Sequence, residues 1–478
     1  MTDWGVSAGY HDAALSVIKD GKIVFAGHAE RYSRKKNDKS LNAGLINDAL
    51  QFGEPDQIFW FENPLLKATR RAFAGQGNWW TSPREYFKDT YYDPPCKIKW
   101  GNHHRSHMAA GYYTRPFNNC ATLVVDAIGE FTTISIWDED KLVYSLGYPQ
   151  SLGLFYSAMT DRIGLKANED EYILMGMAAY GDPDRFYSDM KRDLLWFRTN
   201  LHRGCKWWKP ELTEEDYFDV AAATQKIYEG YLEALLLRTQ ELTKKSNLVF
   251  MGGCALNCLA NRLLPKYFND YWIMPNPGDA GSSLGAVLAG TKQRVKFDSP
   301  YLGFDIKGDY PVERILAELE STGLAGVACG PAEFGPRALG NRSLLADPRG
   351  EYMKSKVNAI KQRQEFRPFA PVIRQEDASK HFVVSDGFDS PYMQEIVRCK
   401  YPQDYPAIVH KDGTSRVQTV TRSQHAGLYD LLTQWYKSTG CPMLLNTSLN
   451  IKGQPIVNTQ TDAARFEKYY GVNVCLPQ

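Results

Sequence analysis

Three apolar segments of this chain each run directly into a short turn that contains glycine. The segments begin at Val6, Ala121 and Leu248, and the turns that follow them read GYHD at 9–12, DAIG at 126–129 and GGCALN at 252–257. Stretches of helical character, at 41–52, 103–113 and 213–245, alternate with these segments. Apolar runs on either side of Asp20-Gly21 also predict a hairpin. Strands of hairpin and crossover type that alternate with helices predict an α/β protein with a mixed sheet.

The glycine-containing turns are candidates for nucleotide binding. Glycine lets the backbone approach a phosphate or a nucleobase closely, although each of the three could by itself be an ordinary turn. Three of them in this order predict the two phosphate loops and the adenosine loop of an actin-like ATPase fold. His11, beside Asp12 in the first turn, is then placed to act as a general base. The alternative is a histidine that only hydrogen-bonds within its turn.

Histidines cluster in the segment NHHRSHMAAGYY at 102–113. His103 and His107 are one helical turn apart, so both imidazoles project from the same face, which is the arrangement of two metal ligands. A surface or capping cluster is the alternative interpretation. Asp126 and Asp279, each at a turn, are the candidates to complete the site. Two imidazoles with oxygen ligands favour Fe(II), Mn(II) or Zn(II) over magnesium.

Composition limits the partners that this chain can have. The 478 residues contain 56 Lys and Arg against 55 Asp and Glu, so no overall positive field attracts a polyanion. The nine cysteines are scattered, without a CxxC pair, which argues against a zinc ribbon or a disulfide framework. The start has no signal-peptide pattern, and no apolar run approaches the roughly 18 residues of a membrane span. We therefore expect a cytoplasmic protein without a membrane partner.

The second half of the chain concentrates cations among small residues. A segment rich in proline, glycine and aspartate at 297–313 marks a boundary, which we place between domains 1–305 and 306–478. Guanidinium and ammonium groups beside serine and asparagine suit polyphosphate and carbamate oxygens, whereas an ordinary solvated charged face would mix both signs. The candidate phosphate-site residues are Arg337, Arg342, Lys361, Arg363, Arg367, Arg416, Asn446 and Ser448.

Two segments, 67–100 and 191–209, are aromatic, basic and aperiodic, and both resemble insertions. They pair Trp79-Trp80 and Trp207-Trp208 with nearby arginines and lysines. Aromatic faces beside cations can stack bases and hold phosphates. The alternative, that these tryptophans pack each insertion onto its domain, has equal standing at this point.

Several motifs make the chain resemble the O-carbamoyltransferases of the nodulation, cephamycin and tobramycin type, a family that includes enzymes acting on viral hydroxymethylcytosine. The matching segments are EFGPRALGNRSLLADPR at 333–349, FRPFAP at 366–371, DGTSRVQTV at 412–420, NTS at 446–448, GQPIV at 453–457, GGCALN at 252–257 and GDAGSSLGA at 278–286. The resemblance implies an N-terminal actin-like domain, similar to the metal-binding threonylcarbamoyl transferase subunit. It also implies a C-terminal YrdC-like α/β domain that makes an adenylate.

The resemblance implies a chemistry as well. Carbamoyl phosphate and ATP, with Mg²⁺, would give carbamoyladenylate and pyrophosphate in the C-terminal domain, where Lys361, Arg416 and Ser448 bind the phosphates with Arg337 and Arg367 close by. An acceptor hydroxyl would then attack the adenylate in the N-terminal domain and release AMP. His11 would deprotonate this hydroxyl, with Asp12 orienting the ring. The remaining N-terminal roles would fall to His103, His107, Asp126 and Asp279 for the iron(II)-type metal, and to Gly129, Glu130, Gly252, Gly253 and Asn257 for the adenylate.

The acceptor is a separate question. The aromatic insertions favour a 5-hydroxymethylpyrimidine, in DNA or as a nucleotide, and a small-molecule hydroxyl such as that of a sugar or an antibiotic is the alternative. Transfer of threonylcarbamoyl to tRNA and a non-catalytic nucleotide sensor are two further alternatives. The sequence gives no indication of the oligomeric state.

Overall fold

A computed structural model describes residues 1–73, 75, 80–194 and 199–477. The chain forms two compact units. The first unit contains Met1–Ala29 and Asn37–Asp298, and the second contains Glu30–Lys36 and Ser299–Gln478. The main division therefore falls near the domain boundary predicted at 305/306. The short segment Glu30–Lys36 leaves the first unit and packs within the second.

The first sheet of the first unit has the strand order β3-β2-β1-β4-β5. Strands β1, β2 and β3 are antiparallel neighbours, and β4 and β5 run parallel to β1. The predicted hairpin is thereby confirmed. The elements of this region are β1 (Thr2–Ser7), β2 (Ala14–Lys19), β3 (Lys22–His28), α1 (Ala29–Ser33, which continues into the second unit), α2 (Ala43–Leu50), β4 (Gln57–Trp60), α3 (Pro64–Phe73) and β5 (Ile98–Trp100).

The second sheet of this unit repeats the same topology, with the order β8-β7-β6-β9-β10. Its first three strands are again antiparallel and its last two again parallel. The elements are α4 (His103–Tyr112), β6 (Cys120–Val125), β7 (Thr132–Asp138), β8 (Lys141–Gly147), α5 (Leu152–Arg162), α6 (Glu171–Met177), α7 (Tyr187–Asp193), α8 (Tyr217–Thr243), β9 (Asn247–Met251), α9 (Cys258–Asn261), α10 (Leu264–Tyr267), β10 (Asp270–Trp272) and α11 (Ser282–Thr291). Two sheets of this order in one unit are the duplicated architecture of the actin-like ATPase fold, so the predicted α/β class and actin-like N-terminal domain are confirmed.

The second unit is an α/β unit around a six-stranded sheet. Its strand order is β18-β15-β19-β14-β12-β20, and the apolar faces of α12 and α15 pack on a continuous buried core. The elements are β11 (Tyr301–Ile306), α12 (Val312–Thr322), β12 (Leu324–Ala328), β13 (Gly330–Glu333), β14 (Arg342–Ala346), α13 (Glu351–Ile360), β15 (Ala370–Arg374), α14 (Gln375–His381), β16 (Val397–Arg398), β17 (Thr414–Ser415), β18 (Gln418–Val420), α15 (Ala426–Thr439), β19 (Met443–Ser448), α16 (Gln460–Tyr470) and β20 (Val474–Cys475).

The segment 67–100 is not a pure insertion, contrary to the sequence analysis. It contains the end of α3, and its last residues form β5, which pairs with β4 at the edge of the first sheet. Its aperiodic character arises because a three-residue edge strand is too short to show an alternating pattern. Trp79 lies outside the described residues.

Helices α4 and α11 lie unusually close together. A Cβ atom added at Gly285 in α11 would lie 1.9 Å from the carbonyl oxygen of Ser106 in α4. Only a residue without a side chain fits there, because real Cβ atoms do not approach an oxygen so closely. The close approach places the start of α11 beside the face of α4 that carries the paired histidines.

We expect Gly285→Ala to destabilise the protein. The added methyl group forces the two helices apart, and overpacking of this kind costs about 1–3 kcal/mol of unfolding free energy. Chemical denaturation followed by circular dichroism measures the change. Gly230→Ala is the matched control, because a Cβ at that exposed position of α8 meets no atom within 4 Å. It should leave stability unchanged or raise it by up to about 1 kcal/mol. Equal stability of both variants would contradict the close-contact interpretation.

Candidate functional site

Four predicted metal ligands come together in the first unit. His103 and His107 lie in successive turns of α4, Asp126 follows the fully buried strand β6, and Asp279 begins the short 3₁₀ turn before α11. One ligand atom from each residue lies within 4.8 Å of all the others, and all four side chains are buried. The helical spacing of the histidines and the position of Asp126 at a strand end were visible in the sequence. Their convergence is a product of the fold.

The donor atoms face one common point. The Nε2 atoms of His103 and His107 are 3.0 Å apart. Asp126 Oδ2 lies 3.1 Å from His103 Nε2, and Asp279 Oδ1 lies 3.2 Å from His107 Nε2. Bonds of about 2.1 Å to a tetrahedral ion separate neighbouring ligand atoms by about 3.4 Å. The spacing and chemistry of this donor set therefore fit a divalent transition metal.

Charge within this cluster is strongly coupled. Burial opposes ionisation of Asp126, but the imidazoles of His103 and His107 outweigh it and hold the pKa of this carboxyl well below its usual range. Burial lowers the pKa of His107, but Asp126 and Asp279 outweigh it and raise that pKa to about 9. The carboxylates thus attract positive charge to this point, whether it is carried by protons or by a cation.

Surrounding groups fix the orientation of the four ligands. Glu130 is buried and accepts hydrogen bonds from the backbone N–H of His103, at 2.9 Å, and of Asn63, at 2.7 Å. It therefore caps the start of α4. The hydroxyl of Ser282 lies 3.1 Å from Nδ1 of His107, and the backbone N–H of Gly253 donates to Asp126 Oδ1 at 3.0 Å. The rings and carboxylates consequently have little freedom to turn away from the common point.

The first glycine turn brings His11 to the edge of this cluster. His11 Nδ1 lies 2.9 Å from Asp12 Oδ2, and His11 Nε2 lies 3.6 Å from Asp279 Oδ2. Gly9 has φ +90°, which suits glycine, and Asp12 has φ 51°. Burial lowers the pKa of His11, but Asp279 and Asp12 outweigh it and raise that pKa to about 10. The imidazole is 27% exposed, so an incoming molecule can reach it.

The residues predicted for adenylate binding have different surroundings from one another. Gly252, with φ +94°, lies so close to β6 that a Cβ would stand 2.1 Å from the carbonyl oxygen of Val125. Asn257 is buried and pairs with Gln225 through both amide groups, and it also caps α9. Gly253 contacts the metal-ligand cluster through Asp126, and Gly252 packs against the end of β6. Gly129 packs against His103, and the side chain of Asn257 is engaged with Gln225 and the start of α9.

The second unit contains a separate polar centre around Lys361, at the end of α13. Its buried ammonium group donates to the backbone oxygen and the hydroxyl of Ser448, and to the backbone oxygen and Oδ1 of Asn450, the latter at 3.0 Å. Burial, together with Arg363 and Arg367, lowers the pKa of Lys361 well below its usual value. An anion at this position would restore the charged form.

Of the other predicted residues, Arg363 and Arg367 lie close enough to Lys361 to affect its charge. Arg363 stacks on Phe369 with 3.9 Å from its guanidinium carbon to the ring centroid, and donates to Asn358. Nε of Arg416 and Oδ1 of Asn446 are buried polar atoms without a hydrogen-bond partner among the described residues. Asn450 was missed as a site residue, although the run Asn446-Thr-Ser-Leu-Asn450 was visible in the sequence.

Arg342 has a different environment from the other cations. It is fully buried, and its guanidinium donates to five backbone oxygens, those of Asn458, Cys329, Gly330, Asn341 and Phe304. The guanidinium is enclosed by these backbone oxygens and has no exposed surface, so a phosphate cannot reach it. We therefore leave Arg342 out of the phosphate site. Arg337 is half-buried on the loop that follows β13.

The two aromatic insertions are only partly exposed. Trp208 is 2% exposed, packs against Phe186 and donates from Nε1 to Asp193, so it holds the insertion in place and cannot stack a base. Trp207 and Trp80 are 59% and 56% exposed. The lysines beside them are engaged, Lys206 with Asp161 and Lys209 with Asp189. The predicted stacking role is therefore wrong for Trp208.

Within the described part of the chain, none of the helices combines the length and the apolar character needed to cross a bilayer.

Comparison with known proteins identifies the family. The family model described as Carbamoyltransferase N-terminus matches residues 89–288, and the one described as Carbamoyltransferase C-terminus matches residues 317–476. An uncharacterized protein of Synechocystis is 34% identical, over 96% of this chain and 93% of its own length. Nodulation protein NolNO of Sinorhizobium fredii is 29% identical, over 95% of this chain and 76% of its own. The 3'-hydroxymethylcephem-O-carbamoyltransferase of Amycolatopsis lactamdurans is 28% identical, over 97% of this chain and 96% of its own length.

Among solved structures, an activator of 2-hydroxyisocaproyl-CoA dehydratase from Clostridium difficile covers 61% of this chain and 95% of its own, with 13% identity. The TM-score of its structural superposition on this chain is 0.34. The family matches are decisive by themselves. This chain belongs to the carbamoyltransferase family, and it is an enzyme that transfers carbamoyl groups.

Proposed function

We propose that this enzyme is an ATP-dependent O-carbamoyltransferase that works in two steps, one in each unit. Carbamoyladenylate is made from carbamoyl phosphate and ATP at the Lys361 centre, and its carbamoyl group is passed to an acceptor hydroxyl at His11. The observation that carries this proposal is the presence of two chemically opposite centres. One is a buried amine with arginines around it, and the other is a histidine beside a carboxylate-rich cluster.

The first step activates a poor electrophile. Nitrogen donates electrons into the carbamoyl carbonyl, so a good leaving group is needed. Carbamoyl phosphate and one water give carbamate and inorganic phosphate. A carbamate oxygen then attacks the α-phosphorus of ATP and displaces pyrophosphate. Lys361, Arg363 and Arg367 would neutralise the phosphates, and the unpartnered Nε of Arg416 would donate a hydrogen bond. The hydroxyl of Ser448, which donates to Asn450 in this structure, would turn to donate to a phosphate oxygen.

The second step is transfer to oxygen. The acceptor hydroxyl attacks the carbamoyl carbon, its proton passes to Nε2 of His11, and AMP leaves with the electrons of the broken carbon–oxygen bond. Asp12, at 2.9 Å from Nδ1 of the same ring, fixes the ring orientation and stabilises the charged form. His11 must be neutral when the hydroxyl arrives. Positive charge near Asp279 offsets the effect that raises the pKa of His11, and so favours the neutral ring.

His103, His107, Asp126 and Asp279 would hold a divalent metal, for which Fe(II), Mn(II) and Zn(II) are all compatible with the donor set. When bound, such an ion supplies a positive charge that can stabilise an anionic adenylate. Iron(II) remains the expectation from the family resemblance. Mg²⁺ would accompany ATP in the second unit.

The acceptor that we propose is a hydroxymethyl group on a small molecule. The relative from Amycolatopsis is named for this kind of acceptor and matches this chain over nearly its whole length. The 5-hydroxymethyl group of cytosine, in DNA or as a nucleotide, stays a prediction. Its support is weaker than the sequence indicated, because Trp208 is buried and the lysines beside it are paired with acids.

A panel of acceptors tests the function directly. We expect purified enzyme with ATP, Mg²⁺ and carbamoyl phosphate to add one carbamoyl group to a small molecule with a primary hydroxymethyl group, detected by mass spectrometry. The panel contains cephem alcohols, sugars, hydroxymethylcytidine monophosphate and hydroxymethylated DNA. A control with threonine, bicarbonate, ATP and tRNA covers the threonylcarbamoyl alternative. Nucleotide binding without pyrophosphate release would instead support a non-catalytic sensor and overturn the proposal.

Metal content should depend on the ligand histidines but not on their neighbour. We expect His103→Gln and His107→Gln to lower bound metal at least tenfold, because each removes one of four ligands. His104→Gln is the matched control. His104 is equally buried on the same helix, but it hydrogen-bonds Ser135 at 2.9 Å instead of facing the carboxylates. Elemental analysis of the purified proteins gives the metal content. Retention of metal by both ligand variants would refute the assigned site.

The two steps should separate by mutation. We expect Lys361→Met to abolish pyrophosphate release, because the buried amine that meets the phosphates is lost. His11→Asn should leave pyrophosphate release within about twofold of wild type and lower transfer at least a hundredfold, the range for loss of a general base. Pyrophosphate assay and product mass spectrometry provide the two measurements. Loss of pyrophosphate release in the His11 variant would disprove this division of labour.

A further inference from the structure

Seven residues of this chain, Glu30–Lys36, belong to the second unit although the residues on either side belong to the first. We call these seven residues the strap. The chain leaves the first unit after Ala29 and returns to it at Asn37. The strap is thus a covalent connection that is separate from the main crossing near residue 298.

Within the second unit, Arg34 is the principal contact of the strap. Its Nη1 donates to the backbone oxygen of Ile456 at 2.7 Å, and its Nη2 donates to that of Pro455 at 2.9 Å. Its Nε lies 3.6 Å from Asp462 at the start of α16. A guanidinium has the planar fork of donors needed to hold two adjacent carbonyls at once.

The loop held by Arg34 leads to the Lys361 centre. Asn450 Nδ2 donates to the backbone oxygen of Gln454 at 2.6 Å, immediately before Pro455. The side-chain oxygen of the same Asn450 accepts from Lys361 Nζ at 3.0 Å. Lys361, Asn450 and the two carbonyls that Arg34 holds are therefore joined by hydrogen bonds and adjacent backbone.

In the first unit, the residues on either side of the strap form hydrogen bonds with the loop that carries His11. The backbone N–H of Ala29 donates to the oxygen of Ala13, and the backbone N–H of Ala13 donates to the oxygen of Asp38, both at 2.7 Å. Gly9 N–H donates to the oxygen of Lys39 at 2.8 Å. The residues before and after the strap thus fix both ends of the turn 9–13.

We propose that Arg34 is a positioning residue that links occupancy of the Lys361 centre to the placement of the His11 loop. The contacts run from Lys361 through Asn450 and the 454–456 loop to Arg34, and then along the backbone of the strap to its two ends. The inference rests on the proposed function, because only a two-step reaction needs the loop to be set when the adenylate has formed. Arg34 touches neither substrate nor reacting atoms in this arrangement.

Hydrogen–deuterium exchange of the peptide that contains Gly9–Ala13 tests the link. Adding ATP, carbamoyl phosphate and Mg²⁺ to the wild-type enzyme should slow exchange in this loop. Arg34→Gln should reduce that slowing by about tenfold, within the range for residues that couple two sites. Arg34→Lys should be intermediate, because one ammonium group cannot hold both carbonyls in the same geometry. Arg314→Gln is the matched control, since Arg314 also donates to a backbone oxygen of the second unit, that of Leu476, and should respond as wild type.

Pyrophosphate release without acceptor separates positioning from misfolding. Arg34→Gln should keep this activity within about threefold of wild type, whereas a collapsed second unit would lose it. The slowing in the wild type should also vanish in Lys361→Met, and the double variant should lose no more than either single one, as expected for residues on one path. Additive losses, an unchanged loop response in Arg34→Gln, or loss of pyrophosphate release in that variant would overturn the inference. A wild-type enzyme that releases no pyrophosphate would overturn the proposed function instead, while the response of the loop to ATP would still decide the role of Arg34.

Discussion

The close approach of α4 and α11 is the packing constraint on which the N-terminal centre depends. A side chain at Gly285 would collide with the backbone of Ser106. Since none is present, the start of α11 reaches the face of α4, and Asp279 comes within 3.2 Å of His107. Strand β6 then delivers Asp126 to the same point from the second sheet. The four ligands are thus brought together by the meeting of two helices and a strand end, whereas the local sequence determines only that the two histidines share one face of α4.

This meeting creates an electrostatic problem that the protein answers with charge pairing. Two carboxylates are buried side by side, and isolated buried charges are costly. The imidazoles satisfy them, which is why the pKa of Asp126 is held low and that of His107 is raised to about 9. A metal must displace the same protons in order to bind, so affinity for a cation falls as the pH decreases. The cluster is therefore stable in either state, provided that some positive charge remains at its centre.

Much of the N-terminal site could be predicted from sequence, because its signals are local. Residues four apart on a helix share a face, and an aspartate that directly follows an apolar strand lies in the loop at the end of that strand. The mixed α/β class followed from similarly local patterns. The start of α8 was predicted four residues early because Thr213 and Asp216 form a capping box around a short 3₁₀ turn before the helix.

Residues whose roles depend on distant partners were not predictable in this way. Arg342 and Arg363 occur in similar sequence surroundings. However, the first donates hydrogen bonds to five backbone carbonyls, and the second stacks on Phe369 beside the Lys361 centre. The capping of α4 by Glu130 was not predicted, and Trp208 was expected to stack a base but is buried. Which partner a long side chain reaches is decided by tertiary packing. The strap could not be predicted for the same reason, because no residue pattern in Glu30–Lys36 indicates that this segment packs in the second unit.

In the proposed two-step reaction, one anionic intermediate would have to bind at two centres whose side chains differ in charge. Around Lys361 the amine and its neighbouring arginines would attract phosphates, so ATP with its own Mg²⁺ would need no further charge compensation there. Around Asp126 and Asp279 the carboxylates repel an adenylate unless protons or a cation offset them. Protons on the imidazoles would serve binding, but the same carboxylates would also keep His11 protonated and unable to act as a base. A divalent cation held by the four ligands would meet both requirements at once, because it would attract the adenylate phosphate and lower the proton affinity of His11.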